Sequence, residues 1–178
     1  MKNKIILIFL IVFSFISCEK DESKNPLATI VPGNFVYLDI KNRAIDANDK
    51  ANTFFSGNLT TPGNNIVKYQ IFVRCVNAAG ITTGNYVFYK EITSFPTELK
   101  ITTAELATAL NIVENDIKKS FIFRFWCYAY DKNGKVTTFN NLSSVLRSEQ
   151  GLKQGYRFNT GVEDAIAIPN FDNYSSPE

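Results

Sequence analysis

From residue 35 onward, apolar and polar positions alternate in short blocks, the two-residue period of half-buried β-strands. Val36, Leu38 and Ile40 share one side of the first block. Thr53 to Leu59 forms a second, interrupted by Gly57. Ile66 to Val76 and Asn85 to Thr93 are longer, and the segment between them, with Gly80 and Gly84, suits a hairpin loop. Phe121 to Tyr130 is the clearest strand and meets Val136 to Phe139 through Asn133-Gly134, a strong hairpin dipeptide. Gly155 to Thr160 closes the series. Blocks this short and this frequently turned predict an all-β, antiparallel β-sandwich of seven to eight strands.

One segment breaks the period. Thr102-Thr103-Ala104-Glu105 fits a capping box, with Ile101 and Leu106 placed as a hydrophobic staple. Leu106, Ala109 and Leu110 continue an apolar helical face that Asn111 can close, so one short helix is expected to plug the end of the sandwich.

The N-terminus follows another rule. Met1-Lys2-Asn3-Lys4 is basic, and Ile5 to Ile16 is apolar apart from Ser14. That run is shorter than the roughly 20 residues a bilayer-spanning helix needs and reads as a secretory signal. Phe15-Ile16-Ser17-Cys18 resembles a lipobox, in which residues 1–17 are removed and Cys18 carries the lipid. Residues 18–27 then form a polar tether (Glu19-Lys20-Asp21-Glu22-Ser23-Lys24), 28–160 the sandwich, and 161–178 a tail. Two or more acyl chains anchor a protein stably, so the expected partner of the N-terminus is a membrane. The acidic run after Cys18 is similar to the export signal of Bacteroidetes lipoproteins, which implies the outer membrane and its exterior face.

Composition narrows the functional classes. Loss of Lys2 and Lys4 with the signal takes the 19 basic residues down by two, to the number of acidic ones, 17. A neutral mature chain lacks the basic field of a nucleic-acid-binding protein. The sequence contains no histidine, which removes Ser-His-Asp, Cys-His and zinc-His chemistry. No phosphate-binding glycine loop follows a strand, and no carboxylate pair stands out for glycoside hydrolysis. The chain is therefore expected to be non-enzymatic, with no cofactor and no metal. Asp46, Asn48 and Asp49 lack the glycine and distal glutamate of a calcium loop and read as a solvated turn.

Parity locates the remaining candidates. Tyr69, Ile71, Val73 and Cys75 share one face, as do Phe121, Phe123, Phe125, Cys127 and Ala129, so Cys75 and Cys127 both point inward. This fits either a disulfide or two buried thiols. On the other side of the long strand stand Arg124, Trp126, Tyr128 and Tyr130, with Tyr86, Phe88 and Lys90 alternating in a candidate neighbour. Either a sugar-stacking platform or rings packed under a loop would account for them.

The run Thr93-Ser-Phe95-Pro96-Thr-Glu-Leu99-Lys-Ile101-Thr102-Thr-Ala-Glu105-Leu106-Ala-Thr-Ala109-Leu110-Asn111, with Phe121-Ile-Phe123 and Asp131-Lys-Asn-Gly134, resembles the immunoglobulin-like domain of Bacteroidetes surface lipoproteins. The resemblance spans roughly residues 66–140 and carries over no catalytic residue. It implies association with glycan uptake systems and SusC/SusD-like outer-membrane proteins as partners. The expected function is a surface lipoprotein that binds a glycan or supports nutrient uptake; a structural or adhesive module is the alternative.

Overall fold

A computed structural model describes residues 35–164. The stretches expected to be signal and tether, with Cys18, the first residues of the expected sandwich (28–34) and residues 165–178 lie outside the described residues. Two sheets face each other. Strands β1 (Tyr37–Asn42), β3 (Phe55–Thr60) and β6 (Thr97–Ile101) form the small antiparallel sheet in the order β1-β3-β6. The large sheet runs β2 (Ala44–Asp46), β9 (Arg157–Glu163), β7 (Ile122–Asp131), β4 (Ile66–Val76), β5 (Thr82–Ile92), and β8 (Val136–Thr137) pairs with β7. All pairs are antiparallel except β2 with β9. With β1, β3 and β6 as strands A, B and E, and β9, β7, β4 and β5 as G, F, C and C′, this is the immunoglobulin-like order.

The alternating positions read from sequence line the interior. Val36, Leu38, Tyr69, Ile71, Val73, Phe123, Phe125, Cys127 and Ala129 are buried in one cluster. Phe158 of β9 stacks on Phe125 of β7 at 4.4 Å and on Phe55 of β3 at 5.0 Å, so one column of rings ties the sheets together. Each such ring or branched aliphatic contributes roughly 1.5–3 kcal/mol through burial.

Helix α1 (Thr103–Leu110) begins as expected. The Thr102 hydroxyl accepts from the Glu105 amide, the Glu105 carboxylate accepts from the Thr102 amide, and Asn111 ends the helix in a left-handed conformation. Ile101 and Leu106, the staple pair, are both fully buried. The helix sinks Leu106 and Ala107 into the core and lies beside the edge strand β5.

Several expectations are corrected. Among the described residues there are nine strands; β2, only three residues long, and β6 fall where no strand was expected. Two further short helices, α2 (Ser144–Ser148) and α3 (Gln150–Gln154), accompany α1. The last strand runs beyond residue 160 to Glu163, because Val162 is buried and Gly161 to Glu163 pair with β2.

The cysteines share a face but not a rung, and no disulfide joins them. Cys75 pairs with Phe123, whereas Cys127 pairs with Ile71, four residues further along β4. At about 3.3 Å per residue that is some 13 Å, well past the ~7 Å Cα limit for a bridge. Burial pushes the Cys127 thiol up to about 12, against a smaller opposing effect of its hydrogen bond with Tyr69.

Candidate functional site

The outer face of the large sheet is laid down in rungs. Phe72 of β4 pairs with Trp126 of β7 and with Phe88 of β5, and Trp126 pairs on its other side with Arg157 of β9. One rung up, Arg74 pairs with Arg124, which pairs with Asn159. One rung down, Gln70 pairs with Tyr128; Lys68 and Tyr130 follow. Parity thus brings Arg124, Trp126, Tyr128 and Tyr130 to one face, but as a packed layer rather than an open platform.

Trp126 is 1% exposed. The chain after β8 brings Phe139 over it, ring centroids 5.9 Å apart and planes at 67°, and the Arg157 guanidinium lies 3.7 Å from the Phe139 ring centre. Trp126 therefore has no face on which a sugar could stack. Tyr128, Arg124 and Tyr130 are half-buried. Tyr128 meets Phe72 edge-on at 5.3 Å; Tyr130 donates to the Gln70 side chain at 2.9 Å and lies under the Lys68 ammonium at 4.2 Å. Phe88, at the sheet edge, is 52% exposed. Lys90 does not join this face: the register shifts between Ile71 and Phe72, so Lys90 pairs with the inward Ile71.

Lys90 instead serves the seam between β5 and α1. Its ammonium is 2.9 Å from the Glu105 carboxylate, which also accepts from the Tyr89 hydroxyl at 2.9 Å. Burial pushes the Tyr89 hydroxyl well above its usual range, with the Glu105 charge acting in the same direction. Glu105 itself is pushed up by burial. Hydrogen bonds from Lys90, the Thr102 amide and Tyr89, with the Lys90 charge, outweigh that and hold it below the usual value. A groove of about 420 Å³ lies along this seam, lined by Phe88, Ala104 and Ala109 beside the network.

The opposite seam, between β1 and α3, is built differently. Strand β1 is the edge of the small sheet. Gly151 and Gly155 on α3 and its C-terminus let the helix backbone meet it directly. A Cβ on Gly155 would lie 2.1 Å from the Val36 carbonyl oxygen, and one on Gly151 would lie 2.2 Å from the Tyr37 ring. The corner is pinned by the Val36 amide donating to the Tyr156 hydroxyl at 3.1 Å and by the Tyr69 hydroxyl donating to the Gly155 carbonyl at 2.7 Å.

Beside this contact runs a cleft of about 430 Å³, walled by Tyr37, Asp39, Lys41 and Arg43 from β1 and its exit, and by Gln150 and Gln154 from α3. The Tyr37 ring rests on Gly151 and remains 40% exposed. Among the described residues, its hydroxyl and the amides of Gln150 and Gln154 have no hydrogen-bond partner. Asp39 and Lys41 pair with each other at 2.5 Å. Sequence reasoning missed this site because residues 144–154 carry no strand period and were not read as helix; the pair of glycines four apart was the available signal.

In the turn after β2 the Asp46 carboxylate accepts from the Asn48 amide and the Asn52 side chain donates to Asp49, while the Lys50 ammonium donates to the Ile117 carbonyl at 2.8 Å. Among the described residues, no three acidic or cysteine side chains are grouped to hold a metal. No protein-family model matches the chain. No curated protein is significantly similar to it.

Proposed function

We propose that the protein is an outer-membrane-anchored surface lipoprotein without catalytic activity, whose sandwich binds a glycan or supports a nutrient-uptake complex. The observation that carries the glycan reading is the cleft along β1, where an exposed aromatic ring and open amide groups converge on one concave surface. Saccharide sites combine an aromatic surface with a few convergent polar groups in this way. The lipobox at Cys18 and the charged residues after it support the anchoring. The second reading, a module that contacts another protein, is favoured by Phe88, an exposed ring on the edge strand β5.

Anchoring is tested by metabolic labelling with a fatty acid and by proteolysis of intact cells. Wild type takes up label and loses its domain to external protease, while Cys18→Ala takes up none. Equal labelling of both chains contradicts the anchor, and full protection from protease contradicts surface display.

A further inference from the structure

We infer that the β1–α3 cleft binds a neutral, pyranose-containing saccharide, with the Tyr37 ring as its stacking surface and the amides of Gln150 and Gln154 reading its hydroxyls. This rests on the glycan reading above and names the site and the ligand class.

The charge of the cleft selects the class. Asp39 and Lys41 neutralise each other across 2.5 Å, and Arg43, the third charge on the wall, already takes part in an interaction of its own, so the charged groups here offer little to a charged ligand. The open groups are neutral: one phenol and two carboxamides. Each carboxamide supplies two donors and an acceptor, and the phenol one donor and an acceptor. A polyhydroxyl ligand uses both kinds, whereas an anion would use the donors alone. Gln150 and Gln154 stand four apart on α3, one helical turn, so they reach the cleft side by side.

Tyr37 is also held in place. Its ring lies against the Gly151 backbone, which removes much of the side-chain freedom a stacking residue would otherwise lose on binding. The volume of about 430 Å³ lies within the range of small-ligand sites, roughly 300–1,000 Å³.

An extended peptide adding to the edge of β1 is the competing occupant, and the strand argues against it. Its pairing with β3 shifts between Ile40 and Asn42, and it presents Asp39 and Lys41 outward. Bulges and charges of this sort are how edge strands avoid accepting another strand.

The test is affinity electrophoresis of the full-length lipoprotein in detergent, through gels containing soluble starch, mannan or xylan, with polygalacturonate as the anionic control. At least one neutral polysaccharide should retard the wild type. Tyr37→Phe, which keeps the ring, should be retarded nearly as well. Tyr37→Ala should weaken retention on the order of five- to tenfold, as loss of one aromatic stacking contact does. The double change Gln150→Ala with Gln154→Ala should weaken it comparably at unchanged melting temperature. If a neutral glycan is bound but Tyr37→Ala or the double variant binds like wild type, the cleft is the wrong site although the glycan reading stands. Retardation by polygalacturonate alone overturns the neutral class. No retardation in any gel overturns this inference and the glycan reading together.

Discussion

The two open sides of the sandwich are closed by the same device, a short helix laid against an edge strand, with opposite results. At β5 and α1 the seam is held by polar groups: Glu105 takes part in the capping box while accepting from Tyr89 and Lys90. At β1 and α3 it is held by shape, with Gly151 and Gly155 letting backbone meet strand. The grooves are nearly equal in size, about 420 and 430 Å³, so volume does not distinguish them. What distinguishes them is whether the polar side chains beside each groove already have partners. At the β1–α3 seam Tyr37, Gln150 and Gln154 have no side-chain hydrogen-bond partner among the described residues, which leaves them open to a ligand.

The largest effect should come from breaking the packed seam. Gly155→Ala drives a methyl group against the Val36 carbonyl, which is backbone and cannot rotate away. Overpacking of this kind costs about 3 kcal/mol, a fall in Tm of roughly 10 °C for a domain of this size. A variant that melts with wild type in a thermal scan would mean the seam is loose.

A smaller loss is expected on the polar side. Glu105→Ala removes the capping box and the partner of Tyr89 and Lys90, costing about 1.5 kcal/mol. The contribution depends on pH. Glu105 titrates below its unfolded value, so its stabilisation is complete above about pH 5 and fades as pH falls through the folded value. Chemical denaturation of wild type and Glu105→Gln should therefore differ at pH 7 and converge as the pH falls through the folded value of Glu105. With its side chain 41% exposed, the pH-dependent part is modest. A gap that persists unchanged at low pH would show that the charge of Glu105 is irrelevant to the seam.

Least affected should be Gln150→Ala with Gln154→Ala, which disturbs no hydrogen bond among the described residues and should alter stability by less than about 0.5 kcal/mol. A loss as large as that of Glu105→Ala would erase the contrast between the seams.

The legible parts of the fold are those set by local periodicity. Alternation assigned the buried faces of β4 and β7 correctly, and Thr102 with Glu105 fixed the start of α1. Parity, however, reports a face and not a rung, which is why Cys75 and Cys127 were both read as inward while their four-residue separation along the sheet stayed hidden. Which of the two readings of Trp126 holds stayed undecided for a related reason. Its cover, Phe139, comes from the far side of the β7–β8 turn, and a single strand does not encode what a later segment lays over it. The short strands β2 and β6 depend on partners in β9 and β3 more than on their own pattern.

Chemical-shift mapping of the ¹⁵N-labelled protein in detergent micelles, titrated with neutral oligosaccharides of glucose, mannose and xylose, tests the contrast most directly. Perturbations should centre on Tyr37, Lys41, Gln150 and Gln154, leaving Tyr89 and Glu105 unmoved. Shifts centred on the β5–α1 seam or on Arg124, Tyr128 and Tyr130, or no shift with any of the three sugars, would contradict the assignment of the β1–α3 cleft as the binding site.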